Sequence, residues 1–506
     1  MNQKKTGIVF SYLIMIFNIA VGLLYTPFML QKIGDSQYGI YSLSISLSSF
    51  ISLLDLGFGQ TLVRYISKAR ALDNKEEEAR LNGFFLMLYS IIAVVAIIVG
   101  AFILWIYPVI SNKSMNGDEI LLFRIVFSIL LINTVFSFPM CIFSSTINAY
   151  ENFVFLKAVN LLMIIIRYIC CILLLAFGYQ LAAITLVTAL TSVLTQIIYA
   201  IYCKSRLNIK FSFKNYNKEL IDEIFWFSFF IFLNLIIDFL YSNTDKLILG
   251  AIHGTFAVTV YSFGIYFQNY FMELSTAMSG VFLPNIVYLY ERKKDMKEIS
   301  DLFLRVGRLQ MAILTLALGG YIALGKEFIS LWVGDDYRDA YYIGLIIMLP
   351  ALIPLTQNIG ISILRAMNLH KYRSYMYLII AILNVGISIP LGNEFGGIGT
   401  AVGTCIACIA GQIFFMNWFY SKKIGIDIKM YWHNLIKFAT ICIPGIICIF
   451  FFKHFIPVDK WILFIVYGVI FILAYFTLYW FLISNLYEKS LINSLLCKFF
   501  RKRKKL

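Results

Sequence analysis

Apolar runs of about 20 residues or more alternate with short polar breaks from one end of the chain to the other. At 1.5 Å per residue such a run, wound as a helix, matches the roughly 30 Å hydrocarbon core of a bilayer. The pattern predicts helices over 7–31, 38–63, 82–107, 119–147, 155–176, 181–203, 221–250, 257–285, 305–333, 340–364, 373–391, 398–420, 435–453 and 461–485. The first run follows Met1–Lys5 and continues to about Gln31 without a small-residue cleavage site, so it reads as an uncleaved helix and not a signal peptide. An even number of spans places both termini on one side.

Composition supports this pattern. Hydrophobic residues make up 60% of the chain and charged residues 14%, against roughly a quarter charged in soluble domains. A mean hydropathy of +0.82 excludes a water-soluble fold and leaves little length for a soluble catalytic domain. The net charge of +15 would suggest nucleic acid in a soluble protein, but its placement points to topology. Thirty-three Lys and Arg fall on the side of the termini, among them Lys4, Lys5, Arg64, Lys75, Lys157, Lys214, Arg292–Lys294, Arg308, Arg365, Lys422 and Lys502. The other side has Lys32, Lys113, Lys326, Arg338, Lys453 and Lys460. The positive-inside rule therefore predicts cytoplasmic termini and no role for nucleic acid. The tail Phe499–Leu506 reads as a patch attracted to anionic headgroups. Most of the nine cysteines lie in apolar runs and do not form a disulfide framework; Cys405 and Cys408, though spaced C-x-x-C, share a lipid-compatible helix.

An internal repeat organises the spans. Asn18, Leu24-Tyr25 and Gly34 recur as Asn234, Leu240-Tyr241 and Gly250, 216 residues on, and Tyr41-Ser42-Leu43 is answered by Tyr261-Ser262-Phe263. The repeat equates helix 1 with helix 7 in the same orientation. It predicts two six-helix lobes, 1–218 and 219–431, followed by helices 13 and 14 over 432–487 and a basic tail over 488–506. Duplicated bundles of this kind build alternating-access transporters with a central cavity.

Several chemistries are missing. There is no Gly-x-x-x-x-Gly-Lys-Ser/Thr phosphate loop and no His-Glu-x-x-His. The predicted outward connections are short, the longest being about Tyr107 to Asp118, which counts against a membrane glycosyltransferase or polymerase. Asp335-Asp336 reads as a solvated acidic loop and not a metal site.

Ionisable groups at membrane depth are costly and face cavities or partners. Arg167, Asp238 and Glu273 fall near mid-membrane, Asp55 toward the cytoplasmic third of helix 2, and Asp245 and Lys246 near the outer end of helix 7. Two readings of Arg167 stand, a fork onto a diphosphate or an ion pair with a carboxylate such as Asp238. Asp55, Asp238, Asp245, Lys246 and Glu273 are candidate ion-coupling or cavity charges, a structural partnership with arginine being the other reading of Asp238 and Glu273. Asn18, Asn234, Gln268 and Asn269 are candidate polar ligands, the two repeat-related asparagines also suiting hydrogen bonds between halves. Pro27, Pro139, Pro284, Pro350 and Pro354 are expected to break helices.

The stretch Ile33-Gly34-Asp-Ser-Gln-Tyr-Gly39-Ile-Tyr41, with Leu53-Leu-Asp55-Leu-Gly57 and Arg64-Tyr-Ile66, resembles the first two helices of the Wzx-type polysaccharide flippases of the multidrug/oligosaccharidyl-lipid/polysaccharide exporter superfamily. Asn243-Thr-Asp245-Lys-Leu-Ile-Leu-Gly250 leading to Val260-Tyr261-Ser262 resembles that family's seventh and eighth helices. The resemblance implies a V-shaped cavity between two lobes and a non-enzymatic transporter of the cytoplasmic membrane, without cofactor or metal. It implies an undecaprenyl-diphosphate-linked oligosaccharide as substrate, membrane lipids as surroundings, and polysaccharide polymerase and assembly proteins as partners. A cation-coupled multidrug exporter of the same fold, or a lipid II-type flippase, is the alternative.

Overall fold

The computed structural model describes residues 3–111, 114–213, 218–279, 296–367 and 369–490. Lys113, Lys214, Pro284, Arg292, Lys293, Lys294 and the tail Phe499–Leu506 lie outside these residues, as does the side chain of Asn234. Every regular element among the described residues is helical.

α1 (Gln3–Ser52) is interrupted at Gly34, whose φ of 78° and ψ of 171° leave the helical region. α2 (Phe58–Ala71), α3 (Lys75–Ile110), α4 (Gly117–Ala149), α5 (Phe153–Ala176), α6 (Leu181–Ser205), α7 (Lys218–Ile252) and α8 (Gly254–Ser279) follow. Then come α9 (Met296–Trp332), α10 (Asp339–Thr356), α11 (Ile359–Ala366), α12 (His370–Ala407), α13 (Ile428–Phe455) and α14 (Trp461–Leu478). α12 breaks at Gly396 and continues through π-helical turns at Cys408–Phe415 and Tyr420–Ile424.

Eleven helices among the described residues are long and apolar enough to cross a membrane. Two of them, Leu13–Ala71 and Tyr372–Ile424, run 59 and 53 residues, roughly 80–90 Å of helix and so the length of two crossings each. Both contain one of the glycine breaks. Together with α8 they account for all fourteen predicted spans, and the protein is a multi-pass membrane protein.

α3 shows how sequence sets a span. Asn74 caps it by accepting the Glu77 backbone N–H at 3.0 Å, and Glu76, Glu77 and Glu78 occupy the positive end of the helix dipole. Beyond, Met87, Ile91, Val94, Ile98, Phe102 and Trp105 form an exposed stripe, whereas Phe85, Tyr89, Ile92, Ala96 and Ile103 are buried. An exposed apolar stripe of that length is untenable in water and belongs against lipid. At the α4–α5 turn, Arg70 donates to the Ala149 carbonyl at 2.5 Å and stacks on Tyr150, which donates to Glu78 at 2.7 Å. Burial and the Glu78 carboxylate push the Tyr150 phenol up to about 12.

Two sequence expectations need correction. Helix 2 is not continuous over 38–63: Leu53–Asp55 form a 3₁₀ turn that ends with Leu56 and Gly57 at φ 49° and 77°. A Cβ at Gly57 would lie 2.5 Å from Ile231 Cγ2, so both the backbone angle and the close approach of α7 require glycine. The prolines also behave unequally. Pro27 and Pro139 sit inside unbroken helix, whereas Pro350 and Pro354 precede the interruption at Gln357–Asn358 that separates α10 from α11. A single proline in a long packed helix is tolerated where neighbours hold the turn.

The chain forms two compact units, Met1–Thr259 with Gly392–Gly397, and Val260–Leu391 with Ile398–Leu506. Within the first, α4 is central and packs on α1, α2, α3 and α6. α7 belongs to this unit, one helix beyond the repeat boundary, because Thr61 and Ser228 share a 2.7 Å hydrogen bond and Arg64 stacks on Phe227 at 4.2 Å. Within the second, α13 and α14 pack on α9 around Ala323, Leu324, Ile449, Tyr467 and Phe471. These last two helices are integral to their unit. Lys453 reaches Glu327 at 2.6 Å and the Ala323 carbonyl at 2.7 Å, and Thr315 and Tyr475 share a 2.9 Å hydrogen bond.

Arg308 carries a third correction. Counted from sequence as a cytoplasmic loop charge, it is instead enclosed by Glu488, Asn434 and the Ile483 carbonyl.

Candidate functional site

A cavity of about 520 Å³ lies inside the first unit among α4, α5 and α6. Each helix contributes polar groups at helical spacing, Asn133, Ser137 and Ser144 from α4, Asn160 and Arg167 from α5, and Thr188, Thr191, Ser192, Thr195 and Gln196 from α6, with Met140, Met163 and Ile164 supplying the apolar part of the wall. Positions three and four apart share a helix face, so three separate stripes converge on one space.

The hydroxyls are oriented by their own helices. Thr188 donates to the Ile184 carbonyl at 2.9 Å, Thr191 to Val187 at 2.9 Å, Thr195 to Thr191 at 2.7 Å and Ser137 to Asn133 at 2.7 Å. This back-bonding engages the hydroxyl protons and leaves the oxygen lone pairs of Thr191 and Thr195 as acceptors. The Gln196 amide nitrogen donates to Ser137 Oγ at 2.6 Å, while Gln196 Oε1 and Asn133 Oδ1 are buried without a hydrogen-bond partner among the described residues. Buried acceptors of this kind are uncommon and mark places where a ligand or water completes the set.

Arg167 is the one charged side chain among the described lining residues. Its guanidinium lies 4.8 Å from the Tyr168 ring centroid and makes no ion pair or hydrogen bond with any described residue. Of the two readings of Arg167, the ion pair with Asp238 is not present among them. An unpaired guanidinium at membrane depth is costly unless a cavity solvates it or an anion meets it.

Asp55 adjoins the cavity indirectly. Tyr89 donates to Asp55 Oδ1 at 2.6 Å and lies 3.9 Å from the thiol of Cys141, which lines the cavity. The backbone N–H groups of Gly57 and Gly59 also donate to the Asp55 carboxylate, which thereby holds the first turn of α2.

The other sequence candidates lie off this cavity. Asn18 is exposed on α1, Asp238 exposed on α7, and Asp245 buried beside half-buried Lys246. On α8, Gln268 and Glu273 are half-buried and Asn269 exposed; Glu273 Oε2 has no partner among the described residues. In the solvated loop, Asp335 pairs with Arg338 at 2.8 Å and accepts from Ser330. A second, apolar groove of about 320 Å³ in the second unit is walled by Phe267, Phe328, Phe464 and Phe471, with Gly320 and Gly468 opening its floor.

The sequence model of a family described as "Polysaccharide biosynthesis protein" matches residues 33–342. No curated protein matches the chain in sequence. Among solved structures, the lipid II flippase MurJ in an inward closed conformation is similar with a TM-score of 0.71 at 15% identity, covering 94% of this chain and 100% of its own. An inward-facing multidrug resistance MATE family transporter of the MOP superfamily gives 0.65 at 13% identity, with 81% and 94% covered. A MOP-superfamily transporter from Pyrococcus furiosus gives 0.53 at 12%, with 82% and 96% covered. At these identities the likeness establishes the fold, a MurJ/MATE-type transporter architecture.

Proposed function

The chain belongs to the polysaccharide biosynthesis protein family, whose model covers more than half of it, and from that premise we propose that it is a flippase for an undecaprenyl-diphosphate-linked oligosaccharide. The reading places it in the cytoplasmic membrane with both termini inside, working by alternating access. One observation carries it: a guanidinium, Arg167, with no ion-pair or hydrogen-bond partner among the described residues, in a cavity whose other polar groups are hydroxyls and amides set among Met140, Met163 and Ile164. Such a wall suits the saccharide of a lipid-linked precursor, and the guanidinium recognises an anionic group on it.

The cavity's charge speaks against the main alternative. An exporter of cationic drugs needs carboxylates where its cargo sits, whereas this cavity presents a cation. Asp55, joined to the cavity wall through Tyr89 and Cys141, is the carboxylate best placed to couple transport to an ion. A lipid II-type flippase shares the mechanism and differs in the saccharide carried.

Deleting the gene in its native polysaccharide cluster tests the reading. Surface polymer is expected to disappear while lipid-linked precursor accumulates inside. Normal surface polymer in a strain with no paralogue overturns it.

A further inference from the structure

We propose that the α4–α5–α6 cavity is a subsite for an acidic sugar, with Arg167 engaging the carboxylate of a uronic acid residue and the diphosphate bound elsewhere. The inference rests on the flippase reading and adds the class of saccharide.

Charge supplies the first argument. Arg167 is the single charged group among the described lining residues and, beyond the Tyr168 ring, has no ion-pair or hydrogen-bond partner among the described residues. One carboxylate, accepting two parallel N–H bonds from the guanidinium, neutralises it within the cavity. A diphosphate brings a second negative charge, which nothing on the described wall offsets, and an uncompensated charge in a low-dielectric site is strongly disfavoured.

Hydrogen-bond polarity supplies the second. A diphosphate offers acceptors only and needs a wall of donors. Here the hydroxyls of Ser137, Thr188, Thr191 and Thr195 donate to backbone carbonyls of their own helices. Ser137 also accepts from Gln196, so the acceptors left for a ligand are the hydroxyl oxygens of Thr191 and Thr195, together with Oε1 of Gln196 and Oδ1 of Asn133, which have no partner among the described residues. Acceptors and one cationic fork set among Met140, Met163 and Ile164 match a sugar ring, which has apolar C–H faces, several hydroxyl donors and one carboxylate. The volume, about 520 Å³, falls in the roughly 300–1,000 Å³ range of small-molecule sites.

The test is binding of three probes, glucuronate, glucose and inorganic pyrophosphate, to the purified full-length protein in nanodiscs. Glucuronate is expected to bind at least tenfold more tightly than glucose or pyrophosphate. Arg167→Gln should bring glucuronate down to the level of glucose and leave glucose unchanged. Thr195→Val removes one acceptor and should weaken glucuronate and glucose together, without altering their ratio. The wild-type ratios decide the matter even where Arg167→Gln fails to fold. Equal binding of glucuronate and glucose, or tighter binding of pyrophosphate, overturns the assignment. Because the readout is binding, selectivity for glucuronate without transport of any lipid-linked saccharide would overturn the flippase reading and leave the acidic-sugar site standing. Transport of a neutral lipid-linked saccharide without glucuronate selectivity would do the reverse.

Discussion

Arg308 on α9 and Glu488, just beyond α14, form a two-point ion pair, Nε to Oε1 at 2.7 Å and Nη2 to Oε2 at 3.0 Å. Their side chains are only 13% and 2% exposed. Asn434 Oδ1 on α13 accepts from Arg308 at 2.9 Å, and Tyr479 donates to Glu488 at 3.0 Å, so the pair ties three helices together. Removing one member strands the other's charge, which in buried pairs costs about 3–5 kcal/mol. Arg308→Ala and Glu488→Ala are expected to lose thermal stability in detergent by that order, and an Arg308→Met/Glu488→Leu double variant to recover most of it. Single variants that melt with the wild type would mean that the pair is solvated.

Asp55 is held in a way that separates its structural role from its chemistry. Asparagine keeps an oxygen that can accept from Tyr89 in place of Oδ1, so Asp55→Asn should fold at close to wild-type yield. It cannot release a proton, and transport by this variant should no longer respond to a pH gradient imposed across proteoliposomes. Asp55→Ala loses the support of α2 as well, at a cost of about 1 kcal/mol. Gradient stimulation that survives in Asp55→Asn rules the residue out as the coupling group.

Much of this architecture is legible in the sequence because lipid imposes a simple rule: a span is an apolar run of fixed length, and the fourteen runs show it. Arg167 stands out for the same reason, as a charge in the middle of one. Its surroundings are less visible. Ser, Thr, Asn and Gln are inexpensive enough in a packed helix to pass unnoticed singly, and only the spacing 133, 137, 144 on α4 and 188, 191, 195 on α6 signals a shared face. The Leu53–Gly57 break left a trace in Gly57 and Gly59, but an apolar run on both sides masked it. Arg308 was hidden by its neighbours, since a basic residue beside Arg305 and Lys297 counts equally toward topology whether it is solvated or paired.

Orientation has a direct chemical readout. In a background freed of its native cysteines, single cysteines at Lys75, Lys214 and Lys294 should react with a membrane-impermeant maleimide only from the cytoplasmic side, and those at Gly117 and Asp336 only from outside. Opposite labelling at any two of these positions contradicts the proposed topology.

Transport of a purified lipid-linked oligosaccharide across proteoliposomes, normalised to folded protein, tests the central claim most directly. The wild type should move the substrate between leaflets. Arg167→Lys, which keeps the charge but loses the two-point fork, should be partly active, and Arg167→Ala should lose at least tenfold while remaining folded. Wild-type protein that moves no lipid-linked saccharide, or Arg167→Ala transporting at the wild-type rate, would contradict the account.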